Sequence, residues 1–465
     1  MTPYPSPLHV SLLVILPLPC LVLIYSIIVT LSLRSICEAP LLGPSRTSLW
    51  PCLLIGCSWV AGTASAAFIL AKRILPDGPS FPDLGSEPAG RAIAILACAG
   101  AASSLASLRL LAFVKKKYVE GPDPIAALER RCGAEGGDVR SHLAGRVVLI
   151  TGANAGIGRT AARQFLGLGA HVVFACRSEA RAREAMGWCC EEVAAERAAV
   201  GRGDGPRRGK RDAAAAEEVA RRAHFVPLDL SSVGSVRECA AVHLPALPIF
   251  RDGASLDVVV LNAGLLQAEQ RVLPNGWETT VGCNHLGHFL LANLLVPRMA
   301  EHGKIITVTS STHRFVSAHS LPEIFDDLMC GRRNYTMFGQ YAVSKLCNLL
   351  FALHLPQVHG SVRSYAVHPG MVRTDVVKNM SAFLRAGNAI AAPLMKVLQK
   401  RPEQGCRSIL HCALLGPDTD EAHGRGEYYV NGALGWRSTA SEDAEFASKL
   451  WSLSEELVGL DEKKQ

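Results

Sequence analysis

The sequence predicts a doubly wound α/β fold, a parallel sheet with helices on both faces, preceded by N-terminal transmembrane helices. Three observations carry that expectation. After residue 140, short β-rich apolar runs alternate with helical stretches. The first of those runs leads directly into a glycine-rich turn that opens a helix. Ahead of them lies a long apolar front end with no Asp, Glu, Lys or Arg before Arg34.

That front end comes first in the chain. Its stretch "HVSLLVILPLPCLVLIYSIIVTLSL" exceeds the roughly 20 apolar residues needed to cross a hydrocarbon core. A secretory signal would bring a basic n-region and a shorter apolar core, so a membrane helix is the favoured reading. Pro17 and Pro19 can kink it. A second segment over 48–71 ends at Lys72 and Arg73, and its small residues suit close packing in lipid. The third, over 92–114, reads equally as a membrane helix, with Arg109 snorkelling, or as an Ala-rich soluble helix. Lys115, Lys116 and Lys117 follow, and a basic cluster flanking a span stays on the cytoplasmic side. The expected organisation is a membrane region over 1–118 with one to three spans, a linker over 119–144, and an α/β body over 145–465 on the cytosolic side.

The formal net charge of the 465 residues is +7, and part of it is local. Residues 194–222 hold a basic, Gly-rich patch that reads as a solvated loop between Ala-rich helical pieces. No aromatic residues interleave there to stack bases, so nucleic acid is not an expected partner. The 15 cysteines form no C-x-x-C and no metal-type Cys/His spacing, which predicts reduced thiols and no metal site. Sequons at Asn334 and Asn379 matter only if that region faces a lumen.

Six continuous apolar runs predict strands over 146–151, 171–176, 224–229, 257–262, 304–309 and 361–367. Apolar on both faces, they fit a parallel sheet covered on both sides. Helical patterns over 277–299 and 338–355 separate the later ones. In such a sheet the crossovers are right-handed and ligands bind beyond the carboxyl ends of the strands.

The run "TGANAGIG" (151–158) sits at the first of those ends. A pyrophosphate needs main-chain N–H groups and a helix N-terminus close by, and side chains at Gly152, Gly156 and Gly158 would obstruct it. Arg177 follows the second strand, 19 residues after Gly158. An Asp or Glu there would hold a ribose 2′-hydroxyl, whereas an Arg suits a 2′-phosphate. NADP(H) is therefore the favoured cofactor, with NAD(H) left open.

Tyr341 and Lys345 stand at i and i+4 on the second helical pattern, one turn apart on one face. A free phenol titrates near pH 10. An ammonium at about 4 Å contributes ~4 kcal/mol at an effective dielectric of 20, about three pKa units, and would bring the phenol toward neutrality. That tuning serves a general acid/base, and it requires a largely water-excluded cleft. Ser310 or its neighbour Ser311, after the fifth strand, can polarise a carbonyl oxygen. His285 and His288 read as packing residues.

These motifs resemble the short-chain dehydrogenase/reductase superfamily, and "NHLGHFLL", "SKLCN" and "HPGMVRT" are closest to its retinol dehydrogenase-like branch. The resemblance covers roughly residues 145 to 460 and implies a Rossmann-type sheet of about seven strands. It implies a catalytic set of Asn284, Ser310, Tyr341 and Lys345, with Ser310 chosen over Ser311 by alignment of "VTSSTH". Asn284 would hold a relay water. The implied cofactor contacts are Thr151, Gly152, Asn154, Gly156, Ile157, Gly158, Arg177, Asp229, Leu230, Asn262, Ala263, Gly264, Tyr341, Lys345, Pro369, Gly370 and Thr374. Leu261 departs from the Asn that opens the family's N-N-A-G element, and Ala155 stands where many NADP-preferring members are basic. The branch implies NAD(P)-dependent interconversion of a lipophilic alcohol and its aldehyde or ketone (a retinoid, polyprenoid or steroid) at the endoplasmic reticulum membrane. Residues 376–400 then read as a substrate lid or as a helix packing a homodimer. A catalytically silent, membrane-anchored nucleotide-binding scaffold is the alternative. It would show a degenerate Ser, Tyr or Lys, and all three are present.

Overall fold

A computed structural model of the chain describes residues 121–135, 137–200, 208–251, 253–372, 399–414 and 426–460. Eight strands form one sheet: β1 Val147–Thr151, β2 His171–Cys176, β3 Ala223–Pro227, β4 Leu256–Leu261, β5 Met299–Val308, β6 Arg363–His368, β7 Glu427–Val430 and β8 Ala433–Leu434. Their order is β3-β2-β1-β4-β5-β6-β7-β8, parallel throughout except for the last pair. The order reverses between β1 and β4, which opens a crevice at their carboxyl ends.

The expected count of about seven strands corresponds to the seven parallel ones, and β8 is an antiparallel addition. Asn431 (φ 55°) and Gly432 (φ 72°) both adopt the left-handed conformation that a two-residue hairpin turn requires. The six strands predicted from apolar runs are present within a few residues. The seventh, "EYYV", is short and starts on a charged residue, so no run marks it.

The longer helices are α1 Pro124–Glu135, α2 Gly156–Gly167, α3 Glu179–Val200, α4 Arg208–Ala220, α5 Gly287–Leu295, α6 Met337–Val358, α7 Arg407–Leu414 and α8 Ala444–Val458. The strands alternate strictly between two cores. Val147, Leu149, Val259 and Ile305 join the core beneath α5, α6 and α8. Val148, Ile150, Val260 and Ile306 join the core beneath α2, α3 and α7. This period of two, apolar on both faces, is why the strands read as unbroken apolar runs. An aromatic cluster locks the first core: Trp451 of α8 lies edge-on to Phe289 at 4.8 Å and stacks on Phe351 at 5.8 Å.

Two expectations change. Residues 121–144, expected as linker, belong to the body. Leu128 and Cys132 of α1 bury against Leu168, and Asp123 pairs with Arg407 of α7 at 2.7 Å. The basic stretch 194–222 is helical over 194–200 and 208–220. α4 runs through "RGKRDAAAAEEVA", where strong helix formers and i,i+4 pairs such as Glu217–Arg221 outweigh the single glycine. The three expected membrane segments, Thr374 and residues 376–398 of the expected lid lie outside the described residues. Among the described residues no helix is long and apolar enough to cross a membrane.

Candidate active site

The glycine turn folds over the carboxyl ends of β1 and β2. Gly152 (φ +64°) and Gly156 (φ +52°) hold left-handed conformations that cost a side chain energy. Gly158 is required by contact: a Cβ there would stand 2.5 Å from the Gly152 carbonyl oxygen and 2.5 Å from Asn262 Nδ2. Asn262 in turn ties the loop down, donating from Nδ2 to the Thr151 carbonyl at 2.9 Å. α2 begins here with Ala155 at its cap and no side chain bonded across its first N–H groups. The result is a backbone-lined helix start suited to an anionic diphosphate. Ile157 packs on its flank toward Gly405. Asn154 lies at the loop's crest, where its N–H and those of Ala153 and Gly152 oppose the burial that pushes the Cys176 thiol up to about 11.

Thr151 has a different task from the one expected. It is fully buried, and its hydroxyl accepts from Asn262 N at 2.9 Å and Ala263 N at 3.0 Å and meets His288 Nε2 at 2.9 Å. It clamps β1 to the segment after β4 and presents nothing to a ligand. Arg177 is exposed at the end of β2. Burial pushes the Cys283 thiol up to about 12, with Asp229 adding to the rise and Arg177 opposing it, so both charges lie near that thiol. The Asp229 carboxylate accepts from Ser231 N at 3.0 Å and Oγ at 2.6 Å, which fixes its orientation. Leu230 is buried, and its carbonyl lies 2.3 Å from where a Cβ on Gly287 would sit.

Four residues expected to act together do converge. Thr336 caps α6, accepting from Gly339 N at 3.2 Å, and the helix then carries Tyr341 and Lys345 one turn apart. The Lys345 ammonium lies 5.6 Å from the Tyr341 ring centre and donates to the Val308 carbonyl at 3.0 Å. The Ser310 hydroxyl lies near enough to the Tyr341 phenol to oppose the rise in its pKa, and its Oγ accepts from Thr312 N at 3.3 Å. Ser311 opens the helical turn Ser311–Phe315. Gly264 lies between the groups: a Cβ there would stand 3.5 Å from both Lys345 Nζ and Asn284 Oδ1.

The electrostatics differ from expectation. Burial raises the Tyr341 phenol to about 12, with only the nearby Ser310 hydroxyl opposing it. Burial also pulls the Lys345 ammonium down to about 8. Desolvation penalises each charged form separately, and with the ammonium turned to the Val308 carbonyl it dominates the pair.

Asn284 sits in a π-helical turn, Gly282–Leu286, ahead of α5. Its amide is spent on Leu265, accepting from N at 2.8 Å and donating to O at 3.0 Å, and on Ser344 Oγ at 3.1 Å. Its own carbonyl meets His288 Nδ1 at 3.0 Å, and that ring reaches Thr151 with its other nitrogen. His288 thus straps the reaction side to the nucleotide side, beyond the packing role that its sequence suggests. Its i+4 spacing from Asn284 is the signal that could have shown this. His285, by contrast, packs against Phe289 and Phe351 and bonds Ser454 at 2.9 Å.

Pro369 and Gly370 follow β6, and Gly370 (φ +86°) leaves no room for a side chain because Lys400 Cε would stand 2.7 Å from it. Lys400 is buried and bonds Asn431. Its N–H donates to the Met371 carbonyl at 2.8 Å, and Val372 and Lys400 form an isolated parallel bridge. No sequence signal marks Lys400, since its place depends on the chain returning to β6.

A family model described as short chain dehydrogenase matches residues 146–204 and 189–320. Retinol dehydrogenase 14 of Homo sapiens is 32% identical over 379 residues, covering 79% of this chain and 98% of the relative. Retinol dehydrogenase 12 of Mus musculus is 32% identical over 322 residues, covering 69% and 88%. Polyprenol dehydrogenase of Mus musculus is 32% identical over 325 residues, covering 68% and 84%.

Proposed function

The chain belongs to the short-chain dehydrogenase family of NAD(P)-dependent oxidoreductases, on its retinol dehydrogenase-like branch, and from that premise we propose that it interconverts a lipophilic alcohol and its aldehyde or ketone at a membrane. The observation that carries the reading is the gathering of Tyr341 and Lys345 one turn apart, with Lys345 and Asn284 both at Gly264, next to a glycine turn that has room only for backbone. The names of the relatives support a retinoid or polyprenoid substrate.

The glycine turn fits a dinucleotide: main-chain N–H groups at the start of α2 would hold the diphosphate, and Arg177 would pair with a 2′-phosphate, favouring NADP(H). When bound, the dinucleotide would supply the hydride for reduction or accept it for oxidation. The remaining chemistry is the chain's own. Ser310 holds the substrate oxygen by a hydrogen bond. Tyr341 gives that oxygen its proton or takes it. Lys345 stands 5.6 Å from the phenol ring, and its ammonium would favour the phenolate on turning from the Val308 carbonyl toward the hydroxyl. Asn284 fixes the Leu265 main chain and so the wall at Gly264. Thr374 would touch the nicotinamide carboxamide, as expected from the sequence.

The apolar front end would anchor the chain in the endoplasmic reticulum membrane with the body cytosolic, so that substrate enters from the bilayer past residues 376–400. A homodimer is compatible with this arrangement. The test is NADPH oxidation by the full chain against retinal, a steroid ketone and a polyprenal, beside Tyr341→Phe. Turnover of one of these that vanishes in the variant supports the reading, and undiminished turnover in the variant ends it. Protease protection on sealed vesicles reports the side of the membrane.

A further inference from the structure

At the other end of the sheet lies a cavity of about 450 Å³, walled by Arg140, Arg197, Arg222 and His171, with Asp138 and Glu218 among them. His171 is the first residue of β2 and Arg222 directly precedes β3, so the cavity opens at the amino ends of the strands. A strand of this length, roughly 17 Å, separates it from the glycine turn. Nothing in the oxidoreductase reading uses it.

Three guanidinium groups face two carboxylates, a surplus of one positive charge. The carboxylates are already engaged. Asp138 accepts from Arg140 N at 3.0 Å. Glu218 accepts from Arg197 at 3.3 Å and stands 3.8 Å from Arg222 Nη2, so one carboxylate serves two cations. Arg222 spends Nη1 on the Leu166 carbonyl at 3.2 Å. Its Nε and Nη2 are buried and make no hydrogen bond among the described residues, Nη2 keeping only the long ion pair to Glu218. Buried donors are almost always satisfied, and an unmet pair on a cation marks a place where an acceptor from outside belongs. Burial first, and then the like charge of Arg197, lower the pKa of Arg222. His171 and His224 share a hydrogen bond at 3.1 Å, and burial lowers both pKa values, so neither adds charge at neutral pH.

We propose that this cavity binds a phosphate group, carried by a small soluble molecule or by a lipid headgroup, with Arg197 and Arg222 as its main donors. A tetrahedral oxyanion accepts several N–H bonds at once, which matches two neighbouring guanidinium forks and relieves their mutual repulsion. The volume exceeds that of phosphate alone and leaves room for the group that bears it.

Calorimetric titration of the full chain in detergent with inorganic phosphate, glycerol 3-phosphate and dihexanoyl phosphatidic acid tests the assignment. Arg197→Gln is expected to weaken binding about tenfold or more. Glu218→Gln, which removes the competing carboxylate, is expected to tighten it. Both side chains reach solvent, so unchanged thermal unfolding checks that each variant folds. Tighter binding of the lipid than of glycerol 3-phosphate assigns a headgroup, and the reverse order assigns a soluble ligand. Absence of binding by the parent chain overturns the proposal. So does phosphate affinity that is indifferent to both substitutions, as a phosphate held at the glycine turn would be.

Discussion

The nucleotide edge and the reaction edge of the same sheet are built from different materials. At the first, the shape is backbone: Gly152 and Gly156 supply left-handed turns, and Gly158 lets two main-chain segments pass at contact distance. At the second, the shape is buried polar side chains. Each of Lys345, Asn284 and Thr309 is held by a bond to a main-chain group of another segment. The contrast teaches where each edge is fragile. A backbone cradle fails sterically and loses binding, whereas a set of desolvated side chains fails electrostatically and loses turnover.

Four experiments would sharpen or break that contrast. The largest effect is expected from Tyr341→Phe, which removes one hydroxyl and should cut kcat by about 10³-fold or more while leaving dinucleotide affinity within a factor of two. A matching loss of affinity would merge the two edges into one. Next is Gly158→Val, which places carbon against the Gly152 carbonyl. Fluorescence titration should show dinucleotide affinity down by about 100-fold, a cost of ~3 kcal/mol. Retained affinity with lost kcat would reverse the assignment of roles.

Arg177→Asp should be smaller. Replacing a charge-assisted hydrogen bond to a 2′-phosphate by repulsion is expected to move the NADP-to-NAD affinity ratio by about tenfold to hundredfold toward NAD. An unchanged ratio would show that Arg177 reads no 2′-phosphate. The smallest effect is on stability. Burial lowers the pKa of His288 from 6.5 to about 4 and that of His285 to about 3. Between those values and 6.5 the unfolded chain binds more protons than the folded one, so stability falls as pH drops through that window. Urea unfolding at pH 5 and 7 should show the loss, and His288→Gln should reduce it. An identical pH slope in the variant would remove His288 from the account.

The same contrast explains what the sequence disclosed. Gly152, Gly156 and Gly158 are legible because a main-chain requirement permits one residue type at a fixed spacing from a strand. Tyr341 and Lys345 were legible as a pair through helix periodicity. Their electrostatics were not, since burial and the Val308 carbonyl, 37 residues upstream of Lys345, determine the outcome. Thr151 was assigned to the ligand because it belongs to the motif, yet its hydroxyl is consumed by the segment after β4. β7 escaped notice because four residues with one charge make no apolar run. α1 looked like linker for want of a long apolar face, and only Leu168 and Arg407 reveal what it packs against.

The bridge between Val372 and Lys400 carries one more implication. Val372 and Lys400 stand side by side next to β6, pinned by the Lys400 N–H to Met371, so the stretch between them begins and ends at one point. Such an excursion can be exchanged, shortened or lengthened at a closure cost that grows only logarithmically with its length. Under the proposed function, substrate range would therefore diversify in this segment by grafting, while the residues proposed to handle the proton and the nucleotide stay as they are.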